Sequence, residues 1–422
     1  MSGLCRARAG KRDLNRDRYV ATLAELTASM EDPEIGRIFL NNSIALAGAP
    51  LPTIDGRLLE ILAGPRCATP CSVLARGSRI FNVGGEPGGL ILAGLTLRDA
   101  RSSEGNGSAL YVAPGVRAGG GTLSANRVQF VNNSAAGDGG AVYAGLHAIL
   151  SFGSCDFVSN AAKSGGAIAA YGAQVGLDGS TFTRNVAAGG GGALFLEGGN
   201  ASLSLAASTF ADNHAGAGGG GAVAVGRATT DRARRDVGTA TAAVSKSTFA
   251  RNYAEGPGGA VRLGPFGHLA MDESIFAFNG GTRLGGALAA DAPNPTAIAN
   301  TTFAMNYVVQ GGGGAALAFG SDPTGASPPA GAASVLNNVT AVNNTVTVGD
   351  DGEPVEAHGA GVLIVEGELL FDGCHFADNH NRNLPAPDED DVCAFGKATT
   401  AIFKAGERPA TCSACGGAGT CV

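Results

Sequence analysis

At 422 residues the chain exceeds one ordinary globular core, while 68 glycines and only 15% charged residues raise the question of whether it orders at all. The regular apolar columns of residues 128–379 exclude a disordered glycine-rich chain. A net charge of −7 with no aromatic and basic platform excludes nucleic acid as a partner, and without a run of 18 apolar residues there is no membrane-spanning segment.

The N-terminal stretch MSGLCRARAGKRDLNRDRY is basic, polar and without the apolar core of a secretory signal. Either the protein is cytosolic or its true start lies upstream, and residues 1–17 are expected to be disordered. From Arg18 to Met30, Val20, Leu23, Leu26 and Met30 fall near helical spacing until Asp32 and Pro33 end the pattern. A short helix there would cap the open end of a solenoid core. Strands without a full motif follow at 37–46, 58–63, 78–83 and 90–100, so that 18–127 reads as a cap with degenerate leading coils. In the last of these Leu97 stands where later copies have Phe, and Gly107, Ser108 and Ala109 precede a further strand at Leu110.

Residues 128–380 repeat one phrase. Its aromatic slot holds Phe130, Phe157, Phe182, Phe210, Phe249, Phe276, Phe303, Ala341 and Phe376, and three residues on stand Asn133, Asn160, Asn185, Asn213, Asn252, Asn279, Asn306, Asn344 and Asn379. After each of the first seven Phe comes Gly-Gly-Ala, its glycines being Gly139 and Gly140, Gly165 and Gly166, Gly191 and Gly192, Gly220 and Gly221, Gly258 and Gly259, Gly285 and Gly286, and Gly313 and Gly314. Self-similarity with a period in the twenties marks a solenoid.

Three columns alternate apolar and outward residues. The slots seven and five before Phe are apolar, as in Leu150 and Phe152 or Leu203 and Leu205; the slot two before Phe is small or apolar; and a third pair follows Gly-Gly-Ala, as in Val142 and Ala144, or Ala316 and Ala318. Between the members of that last pair Tyr143, Phe195 and Arg262 are expected to face out. Successive Phe slots are as little as 25 residues apart, which leaves room for three short strands and three corners but not for helices. The predicted fold is therefore all-β: a right-handed parallel β-helix with three strands per coil, a short N-terminal capping helix and a cysteine-containing C-terminal tail over 381–422. Phe should stack on Phe inside, Asn should form a ladder at one corner, and Gly-Gly should make another corner that excludes side chains.

Two insertions, RATTDRARRD and SDPTGASPPAG, leave the same edge of the coil, and the first presents Arg232, Arg234 and Arg235 as a candidate binding loop. Of the nine cysteines, Cys155 and Cys374 share an inward column and are expected to be buried thiols. Cys67 and Cys71 form a near pair in an early corner, while Cys393, Cys412, Cys415 and Cys421 are expected to staple the tail rather than bind metal. Asp178, Asp272 and Asp372 share an outward column three coils apart, too far to cooperate; Lys246 and Glu273 read as a surface ion pair; and the aromatic residues of the last column are too scattered to stack a sugar. No catalytic residue, cofactor or metal is expected.

Phe-x-x-Asn followed by Gly-Gly-Ala and an aliphatic residue, reiterated on a β-helix, resembles the polymorphic outer-membrane protein repeat of chlamydiae over about Val128 to Asn379. The resemblance implies an extracellular or cell-surface protein, the displayed part of an autotransporter, with adhesion to a host-cell or envelope component, protein or polysaccharide, as its role. The chain departs from that family in having no signal peptide or C-terminal β-barrel and in ending on a cysteine tail. A non-enzymatic adhesin-like or envelope protein is the leading expectation. The rival is a polysaccharide lyase or glycoside hydrolase on the pectin-lyase-like version of this fold, which needs a groove gathering acidic side chains from neighbouring coils.

Overall fold

The computed structural model describes residues 16–85, 88–103, 105–115, 120–226, 239–264, 267–290, 296–310, 313–320, 334–347, 359–364, 367–381, 391–394, 399–403, 412–413 and 420–421. These form a right-handed parallel β-helix. One turn runs through Thr122–Asn126, Gln129–Val131, Ser134–Ala135 and Val142–Ala144, and each strand pairs in register with its equivalent a coil away. Four parallel sheets result: sheet I of fifteen strands, sheet II with the Phe column of twelve, sheet III of ten, and sheet IV of twelve. Three of these are the expected strands; sheet III is a corner that became a ladder of its own, with strands of only two residues such as Ser134–Ala135 and Val186–Ala187.

The N-terminal helix is shorter than its periodicity suggests. Asp17–Val20 pairs with Arg37–Leu40 as the first strand of sheet I, and α1 spans Leu23–Glu31. Thr22 sets the boundary: its hydroxyl accepts from the Glu25 amide and the Glu25 carboxylate accepts from the Thr22 amide, a reciprocal cap that fixes the first turn there. Leu26 and Met30 close over the core. The far end is held by Arg57, whose guanidinium donates to the carbonyls of Met30, Asp32 and Ile35.

Inside, the Phe column is a continuous stack. From Phe130 to Phe303 successive ring centroids lie 4.4–5.0 Å apart with planes within 20° of parallel, because the spacing of about 4.8 Å between strands leaves no other arrangement for rings in one column. Where Ala341 interrupts the row, Phe371 packs edge-on against Phe376 and flat on Phe403, at centroid distances of 5.6 and 4.6 Å.

The corner between sheets II and III is held by side chains. Each ladder Asn donates through Nδ2 to Oδ1 of the next at 2.8–3.0 Å, from Asn133 through to Asn379. The same Oδ1 accepts the backbone N–H of the preceding Asn, and Nδ2 also donates to the carbonyl of the Phe-slot residue one coil back. Every one of these asparagines is buried. At the other end of sheet II a second ladder runs through the column two before Phe: the amides of Cys155, Ser180, Ser208, Ser247 and Ser274 donate to the hydroxyl of the next coil.

Both corners also require left-handed backbone, mostly at residues other than glycine. The residue just before each ladder Asn holds φ of 52–58°, whether it is Asn132, Arg184, Asp212, Arg251, Phe278 or Met305. The residue three before Phe does the same, at Arg127, Ser154, Lys246, Glu273 and Asn300 among others. The regular backbone pairing on both sides over-determines a conformation these residues disfavour alone.

In each glycine pair the two members do different jobs. The first, such as Gly258 at φ 72°, is left-handed, and the chain then folds back over its own strand: a Cβ on Gly191 would stand 3.1 Å from Phe195 Cα, and one on Gly285 2.8 Å from Ala289 Cβ. This corrects the expectation for the column between the inward pairs, for Phe195, Ala169, Ala224 and Ala289 point outward yet are buried. The second glycine is excluded by neighbouring backbone, since a Cβ on Gly259 would lie 2.0 Å from Gly286 O. A second correction concerns Gly313 and Gly314. Gly314, not Gly313, takes the left-handed slot, Ala315 takes the slot of Gly286, and the inward pair is Leu317 and Phe319 rather than Ala316 and Ala318. A run of four glycines left the register open in the sequence; the bulk of Leu317 and Phe319, which fill the core better than two alanines, decides it. Where Ala315 and Ala360 replace the second glycine, Val308 and Val346 replace the usual small residue of sheet III and form a separate small core with them.

Cys155 is buried and unbonded, with its thiol against the carbonyls of Ala125 and Gly153. Cys374 is only half-buried, short of the expected burial, with its thiol against the carbonyl of Leu336. Cys67 and Cys71 form a disulfide, their Cα atoms 5.5 Å apart. Cys5 and the side chains of the four tail cysteines lie outside the described residues. Burial pushes the Cys155 thiol up to about 11. Since an unfolded thiol ionises near 8.5, this group's contribution to stability is intact below that pH and is lost as pH rises towards 11. We expect a bulky maleimide at pH 8 to modify Cys374 in the native protein and Cys155 only after denaturant is added; peptide mapping that finds both labelled equally fast would contradict the burial.

Candidate binding surface

The motif residues themselves are scaffold: the Phe slots from Phe130 to Phe303 and all nine Asn are buried, and Phe376 is half-buried. Recognition must therefore use the outward columns. Those of sheet I are small along much of their length, with Gly176, Ser204, Ala243, Ala270 and Ala297 in one line. The absence of long side chains leaves a shallow groove of about 760 Å³, flanked by Gln174, Ser202, Thr241 and His268. A second depression of about 340 Å³ continues it toward Asp272 and Asn337.

The strands at which both insertions rejoin the fold line this groove. The first leaves sheet IV after Val225 and rejoins at Ala240, and the second leaves after Phe319 and rejoins at Ser334. The residues that follow, Thr241, Ala242, Ala243 and Val335, line the groove. Residues 227–238, with Arg232, Arg234 and Arg235, and 321–333 lie outside the described residues.

Among the described residues the acidic side chains do not converge. Asp272 is the one described carboxylate lining either depression, and it accepts from Asn300 Nδ2 at 2.8 Å. Asp178 sits three ladder steps away in the same column, about 14 Å at the strand spacing. Lys246 and Glu273 form an ion pair at 3.8 Å with both side chains exposed, a pair of small energetic weight. No group of three His, Cys, Asp or Glu among the described residues could hold a metal ion, and no described helix is long and apolar enough to cross a membrane.

The aromatic residues outside sheet IV are contiguous, contrary to the expectation of scatter. Tyr111, Tyr143, Tyr171 and Phe195 form a row with centroid spacings of 5.3, 5.6 and 5.8 Å. Arg79 lies over Tyr111, and the Tyr171 hydroxyl donates to Asp138 at 2.7 Å. Sequence reading missed Tyr111 and Tyr171 because one lies in a leading coil and the other just past its strand's inward pair. The first pair of rings stacks almost flat, 5° apart, so their faces are spent on each other and offer no platform to a sugar.

With this geometry, comparison with known families decides the repeat. The model of the Chlamydia polymorphic membrane protein repeat matches residues 127–145 and 179–197. The chain carries that repeat. The matched segments run from the left-handed corner before Phe130 to Tyr143 and Gly145, and from Gly179 through Phe182 and Asn185 to Glu197, so each contains one Phe of the stack, one ladder Asn and the glycine pair. These polymorphic membrane protein repeats are the structural unit described above: the stack, the ladder and the folded-back glycine lip. No curated protein and no solved structure matches the chain.

Proposed function

We propose that this chain is a non-enzymatic, secreted or surface-displayed β-helix that binds a host-cell or envelope component, protein or polysaccharide, in the manner of an adhesin. The polymorphic membrane protein repeat supports a place at the cell surface. The observation that carries the reading is the groove along sheet I, whose small-residue floor abuts the points where both insertions rejoin the fold. Repeated coils offer a uniform surface, and insertions into such coils are where it acquires specificity. A single carboxylate among the described residues of the groove is a poor fit to glycoside cleavage, which works through a pair of carboxylates.

The test fills the groove. Ala243→Arg and Ala270→Arg place long charged side chains on its floor at outward strand positions where the core is untouched. Binding of the labelled protein to cultured epithelial cells, immobilised matrix proteins and envelope polysaccharides should fall about tenfold or more, with an unchanged melting curve. Removal of 227–238 or 321–333 should weaken binding as well. Binding that survives both arginines and both deletions would overturn the reading.

A further inference from the structure

The corner between sheets II and III carries a feature that neither the fold nor the groove uses. Its left-handed residues follow one another up the axis, each amide donating to the next coil. Polar side chains hold this position at Arg184, Asp212, Arg251, Asn343 and Asp378, but Phe278 and Met305 interrupt them, 50% and 46% exposed at φ of 58° and 55°. A bulky apolar side chain in left-handed backbone costs about 1–2 kcal/mol, and neither residue recovers this by entering the core. Ile275 at 49% and Tyr307 at 36% flank them. Four of the eight large apolar side chains most exposed among the described residues thus gather on two adjacent coils. Tyr307 lies over Gly280, where a Cβ would come within 2.3 Å of the ring, so it covers the strand that follows Phe278. Contiguous exposed apolar surface of this kind marks an interaction site.

Charge identifies the occupant. Arg184 lies three ladder steps to one side of Phe278, and Asp378 three steps to the other. Between Arg184 and Phe278, Asp212 and Arg251 neutralise each other through hydrogen bonds of 2.7 and 3.1 Å. The row is therefore positive at one end, apolar in the middle and negative at the other, with the charges about 14 Å from the centre on each side. Such a row complements itself when reversed. We infer that two copies of this chain associate antiparallel about a two-fold axis at Phe278, each Arg184 facing the partner's Asp378, with the two Phe278 side chains at the apolar centre and each Met305 beside them against the aliphatic stem of the partner's Arg251. An isologous contact of this kind closes at a dimer and does not propagate. It is independent of the groove on sheet I, which lies on another face.

Sedimentation velocity over a hundredfold concentration range should show the 41.6 kDa chain passing reversibly to twice that mass. Phe278→Asp should remain monomeric throughout; it is expected to fold, because Asp212 and Asp378 occupy the same left-handed position in other coils. Arg184→Asp and Asp378→Arg should each weaken the dimer about tenfold, and the double exchange should restore it. A wild-type chain that stays monomeric, as it would if a different protein covered this corner, overturns the inference. So does a dimer that Phe278→Asp leaves intact, or a double exchange no tighter than the single ones.

Discussion

Replacing Asn252 by Ala is expected to lower the free energy of unfolding by about 4 kcal/mol, measured by urea titration. The substitution strands two buried donors, the amide and Nδ2 of Asn213, which both point at Asn252 Oδ1 at 3.1 and 2.9 Å, and each stranded donor costs about 2 kcal/mol. It also deprives the Phe210 carbonyl and Asn279 Oδ1 of a donor. Tyr253→Ala, one residue on and facing out, should cost less than about 1 kcal/mol. Near-equal effects at the two positions would mean that the ladder contributes little beyond ordinary corner packing.

Gly259→Val should be as severe, at about 3 kcal/mol or more. A Cβ there would lie 2.0 Å from Gly286 O and 2.4 Å from Gly280 O, both backbone atoms of the next coil. Relief requires the backbones of the two coils to move apart. Gly176→Ala is the matched contrast. Its Cβ would meet nothing nearer than Leu150 O at 3.7 Å, and its φ is not left-handed, so removing glycine's freedom from the unfolded chain should stabilise by about 0.5 kcal/mol. If both changes shift the urea midpoint in the same direction, backbone approach is not what keeps Gly259.

The periodic part of this architecture was open to reading because each buried column repeats at every coil, so Phe130 or Asn133 is interpreted with its equivalents rather than alone. What escaped lies in backbone geometry and in neighbours across coils. Arg127, Lys246 and Glu273 carry no sign in their chemistry of the left-handed corner they occupy; paired strands impose it. Ser180, Ser208 and Ser247 read as small residues in an inward column, yet their hydroxyls form a second ladder that only registered coils reveal. The run of glycines before Ala315 is ambiguous by one residue because glycine fits every slot. Phe278 and Met305 are visible in the sequence as apolar residues before Asn, but their exposure follows from the corner's handedness and not from any pattern along the chain.

The asparagine ladder has one further property. Every rung donates in the same direction, from Asn133 toward Asn379, beginning at the Ala100 amide that donates to Asn133 Oδ1 and ending where Asn379 Nδ2 donates to the carboxylate of Asp391. Amide dipoles aligned head to tail polarise one another and add. The ladder is therefore an electrically polar rod of side chains whose positive pole lies at its C-terminal end and is met there by an anion, much as a helix N-terminus is met by an acidic cap. Coils can be inserted or removed from the middle of such a rod without reversing its polarity, but its two ends are not interchangeable.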